Sequence, residues 1–304
     1  MKHLNFAASY GIALLVGTVL TLSSCSEEVM NPENESVYAS VNVKVNEFSV
    51  SMEDFPGTRA EKTPEEYDVI GAITLAFYDA NGVEVEKTTQ LRSDFTDLST
   101  FGQFSFSLPI GTYTLVALAY KHLDGDVLEM TSPTSAVYTS EIPRETFCTT
   151  RTVSITSATA LDLSLKLYRF NTWLGLNSTD KRPVDAAKVR ITYAAGAKGF
   201  NPTTGFATDN EGFSVVHPIG QSVGNVIVIN SCAFLSSSEE QNMDITLQVL
   251  DDDDHVLITK VAHNVPFLRN RVTILTGQLF TPSTASNASF ILDTGRITSV
   301  IVDF

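Results

Sequence analysis

The stretch VYASVNVKVNEFSV, residues 37–50, decides the fold. Over its first nine residues apolar side chains alternate with polar ones, and this period of two is typical of a β-strand with one buried face. The apolar members are Val37, Ala39, Val41, Val43 and Val45. The apolar set then shifts by one position to Phe48, which predicts a β-bulge near Asn46 and Glu47.

The sequence that follows continues as short apolar runs separated by turn residues. One run ends in Asp79-Ala80-Asn81-Gly82, and Asn-Gly is a strong signal for a hairpin turn. The runs are rich in β-branched and aromatic residues, and no segment carries a sustained 3.6-residue apolar stripe. The strands predicted in this half are 37–52, 70–78, 83–87, 101–108 and 112–120.

A second series of apolar runs begins near residue 158. Its predicted strands are 161–176, 189–193, 226–229, 245–250, 256–262, 272–280, 289–292 and 297–304. Short strands about ten residues apart, in two series, predict an all-β fold of two tandem antiparallel β-sandwich domains. We place these domains at residues 37–157 and 158–304, which suits a chain of 304 residues.

The first 24 residues have the layout of a secretory signal peptide. A basic start at Lys2 precedes an uncharged run over 11–22, which is too short for the roughly 20 residues of a membrane span. Cys25 follows Ser24, and Leu22 three places before it resembles the bacterial lipobox. That resemblance implies cleavage between Ser24 and Cys25 and a lipid on the Cys25 sulfur.

The polar residues 25–36 have the composition of a tether, since they cannot build a core. Their Cys-Ser-Glu-Glu start resembles the surface-export signal of Bacteroidetes lipoproteins, and a generic linker explains it equally well. The whole chain carries a net charge of −15, which disfavours nucleic acid as a partner. With Cys25 lipidated, Cys148 and Cys232 remain, and we expect them to be buried free thiols.

Motifs for catalysis, metals or cofactors are not found. The five histidines are scattered, and neither a nucleophile elbow nor a phosphate-binding loop is present. Asp251 to Asp254 lack the alternating ligand spacing of a calcium loop, so we interpret them as a hairpin tip. Trp173, the single tryptophan, is interpreted as a core residue rather than a sugar-stacking platform. We therefore expect no enzyme, no metal and no cofactor.

Three segments together resemble the fimbrillin superfamily of Bacteroidetes, the subunits of type V pili. The first is the lipoprotein start with its valine-rich strand and Gly57-Thr58-Arg59-Ala60. The second is ITLAFYDANGVEV followed by FSFSLPIGTYTLVALAY, and the third is VPFLRNRVTILTGQLFT. The resemblance implies two transthyretin-like sandwiches, lipid anchoring in the outer membrane during export, and a surface location in a fimbrium.

The same resemblance implies an assembly mechanism. A trypsin-like protease cuts after an arginine, the first strand leaves, and the C-terminal strand of another subunit fills the groove. The cut then falls between Arg59 and Ala60, in a polar stretch flanked by Pro and Gly where proteolysis is favoured. The displaced strand carries Val37, Val41, Val43 and Val45, and the donor strand carries Val300, Ile301, Val302 and Phe304. An uncut loop and a C-terminal strand that closes its own domain are the alternatives.

These observations leave more than one function open. A polymerising stalk subunit has both a cut site and a donor, whereas an anchor or accessory subunit keeps its first strand and its lipid. A surface glycan-binding lipoprotein requires exposed aromatic side chains grouped on one face. A hydrolase requires a cleft with a carboxylate pair, which cannot be chosen among 35 acidic residues.

Overall fold

A computed structural model describes residues 36–50, 61–219, 228–282 and 299–303, the last range and residue 228 for the backbone. Two 3₁₀ turns, Arg92–Asp94 and Leu98–Thr100, accompany the strands. The strands are β1 Tyr38–Ser49, β2 Glu61–Lys62, β3 Ala72–Tyr78, β4 Glu84–Leu91, β5 Gln103–Pro109, β6 Gly111–Tyr120, β7 Leu128–Ser132, β8 Ser135–Tyr138, β9 Thr146–Ile155, β10 Leu161–Arg169, β11 Thr172–Ser178, β12 Lys188–Tyr193, β13 Phe200–Asn201, β14 Phe206–Ala207, β15 Phe213–Pro218, β16 Val228–Ala233, β17 Glu240–Leu250, β18 Val256–Leu268, β19 Val272–Gly277 and β20 Ser299–Asp303. The predicted all-β class is confirmed.

The first sheet has eight strands, seven of them in the order β2-β1-β10-β9-β6-β3-β4, and the eighth, β5, pairs with β1. Strand β10 pairs with β9 only through Tyr168 and Arg169, so the sheet turns a corner there. The side chains of β1, β5 and β10 then pack against those of β3, β6 and β9 in one core. Phe77 of β3 and Phe106 of β5 meet across this core, with their ring centroids 5.0 Å apart. The two arms of the sheet therefore form the layers of a sandwich.

A second sandwich is built from two four-stranded sheets, β16-β11-β19-β20 and β15-β12-β17-β18. Leu174 of β11 and Leu275 of β19 share a core with Val189 of β12 and Leu247 of β17. The acidic run 251–254 joins β17 to β18, as expected of a hairpin tip. Asp251 accepts hydrogen bonds there from the backbone N–H groups of Asp253 and His255.

A fourth sheet, β14-β13-β8-β7, joins strands from the two predicted domains. Phe200 of β13 pairs with Ala136 of β8, and this sheet covers the outer face of β3 and β6. Strand β3 is therefore buried on both faces. The described residues from Ser36 onward form one compact unit. The boundary near residue 157 stays a prediction, although β10 pairs with β1 and thus belongs to the first sheet.

Strand direction differs from the expected antiparallel pattern at three pairings. Strands β1 and β10, β11 and β19, and β19 and β20 are parallel, whereas the other described pairings between strands are antiparallel. The parallel partners are far apart in sequence, so no tight hairpin imposes an antiparallel direction on them. Sequence periodicity identifies such strands but does not reveal their partners.

Candidate functional site

Strand β1 is a central strand of the first sheet. It runs parallel to β10 on one side and antiparallel to β5 on the other, so that Val43 faces Leu163 and Phe104. Because both flanks of β1 are hydrogen-bonded, its removal would leave a slot between two strands rather than a shortened edge.

The inner face of β1 is apolar and fully packed. The five side chains on this face are at most 2% exposed, and they are Ala39, Val41, Val43, Val45 and Phe48. At roughly 1.5–3 kcal/mol for each large side chain, their burial contributes on the order of 10 kcal/mol. Val37 differs from the expectation, since it precedes the strand and is 50% exposed. It lies at the end of the sheet, where its carbonyl accepts a hydrogen bond from Ile110 N–H but no layer covers its side chain.

The predicted bulge is present in β1. The pairing with β10 passes from Val45 opposite Leu165 to Glu47 opposite Lys166, so Asn46 is the extra residue. This insertion returns Phe48 to the buried face, where its ring packs against that of Phe147 at a centroid distance of 5.3 Å. The one-residue shift of the apolar pattern is thereby explained.

The C-terminal end of β1 is fastened to β2. Phe48 and Ser49 pair antiparallel with Lys62 and Glu61. The Lys166 ammonium on β10 bridges the two strands, because it forms an ion pair with Glu61 and lies 3.8 Å from the Glu47 carboxylate. Residues 51–60 connect β1 to β2, and the predicted cut site, Arg59 and Ala60, lies there, outside the described residues.

The C-terminal strand β20 ends its own sheet. It pairs in parallel with β19, with Val300 opposite Thr273, Ile301 opposite Ile274 and Val302 opposite Leu275. Among the strands that the structure describes, β19 is its single neighbour. Phe304 lies outside the described residues, as do Ser24 and Cys25. Donation of this strand to another subunit and closure of its own domain both stay predictions.

A buried polar network lies beneath the end of β10. The Arg169 guanidinium donates to Glu145, to Tyr67 Oη and to Asn270 Oδ1, at 2.5, 3.3 and 2.7 Å respectively. Tyr67 Oη in turn donates to the Glu145 carboxylate at 2.8 Å. Burial and the neighbouring Glu145 charge raise the pKa of Tyr67, so its hydroxyl stays a donor. The network ties the first sheet to the turn between β18 and β19.

The remaining sequence expectations concern chemistry. Cys148 and Cys232 are buried free thiols, as predicted. Trp173 is half-buried, and five tyrosines are buried, namely Tyr78, Tyr113, Tyr120, Tyr138 and Tyr193. The exposed Tyr38 and Tyr168 lie at opposite ends of the β1–β10 pair, so they do not form the grouped aromatic face that a sugar platform needs. Over the described ranges, no three His, Cys, Asp or Glu side chains are placed to hold a metal ion.

None of the helices in the described part of the chain has the length and hydropathy needed to cross a bilayer.

The fold and the site define an all-β protein of stacked sheets whose first strand fills the slot between β10 and β5. The chain belongs to a family described as a family of unknown function (DUF6562), whose profile matches residues 35–291. No protein of curated description matches the sequence.

Among solved structures, the chain is similar to a candidate adhesin from Bacteroides ovatus, at 11% identity and a TM-score of 0.47, over 80% of this chain and 88% of that one. It is also similar to the fimbrial anchor protein of Porphyromonas gingivalis, at 12% identity and 0.44, over 73% and 82%. A fimbrial assembly protein from Parabacteroides distasonis shows 13% identity and 0.38, over 82% and 92%.

Proposed function

We propose that this chain is a structural subunit of a cell-surface fimbria, not an enzyme, and that it assembles by donor-strand exchange. In this scheme it is exported as a lipoprotein through Cys25 and reaches the surface anchored in the outer membrane. A cut after Arg59 then separates β1 from the folded body. The partner is another copy or a homologous subunit, whose C-terminal strand enters the slot.

The observation that carries the proposal is the position of β1. It is N-terminal to the other strands of the described residues, it is flanked by β10 and β5, and its five inner side chains are buried. Everything up to residue 59 depends on the 51–60 connection for its covalent link to the body. After one cut in that connection, β1 is held to the rest of the protein by non-covalent contacts alone. Once β1 has left, an apolar slot of this size requires a replacement strand.

The proposed donor has the required chemistry. Val300, Ile301 and Val302 are β-branched, and Phe304 adds a large apolar side chain. Because β20 pairs with one strand of the described residues, β19, it can leave its sheet by breaking one described ladder of hydrogen bonds. A strand seated between β10 and β5 would gain two such ladders.

A second candidate is an anchor or accessory subunit that keeps β1 and its lipid. Two observations favour it: β1 is fastened at its C-terminal end by Lys166, Glu47 and Glu61, and β20 lies in its own sheet. The two candidates differ in whether Arg59 is cut.

The test is treatment of the purified chain with an arginine-specific protease. We expect a new N-terminus at Ala60, identified by mass spectrometry, and SDS-resistant ladders on gels. An Arg59→Gln variant should show neither the new N-terminus nor the ladders. An Arg151→Gln variant, changed at an exposed arginine of β9, should still show both. Val302→Asp should be cut normally but form no ladder, because a carboxylate opposes burial in the slot.

Clean cutting that yields only monomers would refute strand exchange. A chain that resists the protease at Arg59, and that is recovered uncut from cells, would support the anchor role instead.

A further inference from the structure

A cleft of about 570 Å³ lies where β1 and β10 end. The turn between β18 and β19 forms its other wall, and the cleft is lined by Ser49, Tyr168, Arg169, Glu239, Arg269 and Arg271, among others. Its volume falls within the usual range for small-molecule sites. The proposed strand exchange assigns no role to this cleft.

The charge of the cleft is opposite to that of the chain. Three arginines, Arg169, Arg269 and Arg271, line the cleft together with one acidic residue, Glu239. The chain as a whole has a net charge of −15. A positive concavity in an acidic surface concentrates small anions locally.

Arg269 is held rigidly in this cleft. Its guanidinium lies over the ring of Phe206 at 4.2 Å and that of Phe170 at 5.2 Å. Gly205 leaves room for this stack, because a Cβ there would come within 2.9 Å of both Arg269 Nη1 and the Phe170 ring. A guanidinium fixed in this way loses little entropy when it binds a ligand.

The Nε–Nη2 edge of the Arg269 guanidinium, which can bind a carboxylate through two hydrogen bonds, makes none in the described residues. Its Nε and Nη2 atoms are buried and make no hydrogen bond to the described residues. Nε stands 3.2 Å from the Glu239 carboxylate, in an ion pair without hydrogen-bond geometry. The Glu239 side chain is 73% exposed and therefore easily displaced. Glu239 thus marks the position that a ligand carboxylate would take with better geometry.

The backbone of the cleft disfavours a peptide. The N–H groups of Phe170, Arg269, Asn270 and Arg271 already donate to backbone carbonyls. An extended peptide needs an open strand edge for main-chain pairing, and this wall offers none. Side-chain groups such as the hydroxyl of Ser49 and the half-exposed ring of Tyr168 remain, and they suit the hydroxyls and apolar face of a sugar.

We propose that this cleft binds an acidic monosaccharide unit, with its carboxylate on the Nε–Nη2 edge of Arg269 in place of Glu239. The sugar ring then lies toward Tyr168 and Ser49. Ser49 is the last residue of β1, so the complete site exists in the uncut chain, whereas Tyr168, Glu239 and Arg269 lie outside β1.

The test is calorimetric titration of the intact chain with sodium glucuronate, glucose, sodium acetate and an acetylated peptide ending in a free carboxylate. We expect glucuronate to bind at least tenfold more tightly than any of the other three. Equal affinity for acetate would reduce the site to a general anion site, and tighter binding of the peptide would show a peptide site. Either result overturns the proposal.

Two variants test the assigned atoms. Glu239→Gln removes the competing carboxylate from an exposed position, so we expect glucuronate to bind at least threefold more tightly. Arg269→Gln should weaken it at least tenfold, whereas Arg151→Gln serves as a control and should change nothing. If Arg269→Gln does not fold, Glu239→Gln decides alone, and unchanged or weaker binding of glucuronate by this variant overturns the proposal.

Discussion

Arg169 Nη2 lies 2.5 Å from Glu145 Oε1, and both side chains are almost completely buried, at 4% and 7% exposure. Arg169 is the last residue of β10, and Glu145 immediately precedes β9. The ion pair therefore sits at the corner where the two layers of the first sandwich meet. A buried pair of this kind specifies geometry, because either charge left alone in a dry environment is costly.

The first prediction concerns this pair. Glu145→Ala should lower the free energy of unfolding by about 3–5 kcal/mol, because it leaves the Arg169 charge buried without its carboxylate. Urea unfolding followed by fluorescence measures the loss. The matched control is Glu84→Ala, which breaks an exposed pair with Lys87 and should cost less than about 1 kcal/mol. Equal losses in both variants would contradict the assigned role of the buried pair.

The second prediction tests the packing of β1. Val43 is 1% exposed between Leu163 and Phe104, so Val43→Ala removes buried methyl groups and should cost about 2–3 kcal/mol. Val184→Ala removes the same atoms from a side chain that is 85% exposed and should stay within about 0.5 kcal/mol. Thermal unfolding of the two variants side by side gives the comparison. A Val43 variant as stable as the Val184 variant would show that β1 is loosely held.

The third prediction concerns the hairpin between β3 and β4. Gly82 has a φ of +77°, and the Asp79 carboxylate accepts from the backbone N–H groups of Asn81 and Val83 to fix the turn. A Cβ at Gly82 would meet nothing closer than Pro133 at 3.7 Å, so a steric clash with other residues is not expected. Gly82→Ala should therefore lower stability only because alanine disfavours a positive φ. We expect a loss of about 1–2 kcal/mol.

The control for Gly82 is Gly175→Ala in β11. Gly175 lacks a positive φ, and a Cβ there would make an ordinary contact of 3.5 Å with Ile274. Chemical denaturation should show this variant within about 0.5 kcal/mol of the unchanged chain. If both glycine variants lose the same stability, the left-handed turn is not what Gly82 provides.

The fourth prediction concerns thiol reactivity. Cys148 and Cys232 are buried, and burial raises the pKa of both thiols, so little thiolate forms at neutral pH. A thiol-reactive reagent should therefore leave both unlabelled in the folded chain and label both in urea, as peptide mapping by mass spectrometry would show. Rapid labelling of Cys232 without denaturant would place that thiol at an accessible surface.

Local sequence patterns predicted much of the first sandwich. Three features follow from the identities of neighbouring residues, and the structure contains all three: the alternation over β1, the bulge at Asn46 and the Asn-Gly hairpin before β4. The acidic turn 251–254 is a further example, because its flanking runs alternate clearly. These features depend on interactions within a few residues of one another, which is why periodicity reveals them.

Other strands were missed because their own sequence is ambiguous. Strand β9, Thr146–Ile155, carries the polar run Thr149 to Thr152, which interrupts the apolar alternation, although β9 pairs with β6 along ten residues. Strands β7 and β8 are short, and β13 and β14 have two residues each. Their place in a sheet comes from neighbours far along the chain.

The arginine cleft shows the same limit. Arg269, Asn270 and Arg271 lie in the segment VPFLRNRVTILTGQLFT, and the sequence alone assigns no role to their side chains. Arg269 gains its environment from Phe170, Phe206 and Glu239, which are between 30 and 99 positions away. The sequence alone carries no signal for this site, because these residues do not recur at a fixed spacing that could be recognised as a motif.

The sequence by itself determined the β character of the chain, the alternation of its strands, its main turns and the expectation of a lipidated N-terminus. Only the tertiary structure decided that β1 lies between β10 and β5, that β10 belongs to the first sheet, and that three arginines meet in one cleft. The physical reason is that alternation is enforced by the two-residue repeat of a strand. Strand partners are chosen instead by burial of side chains and by hydrogen bonds between segments distant in the chain.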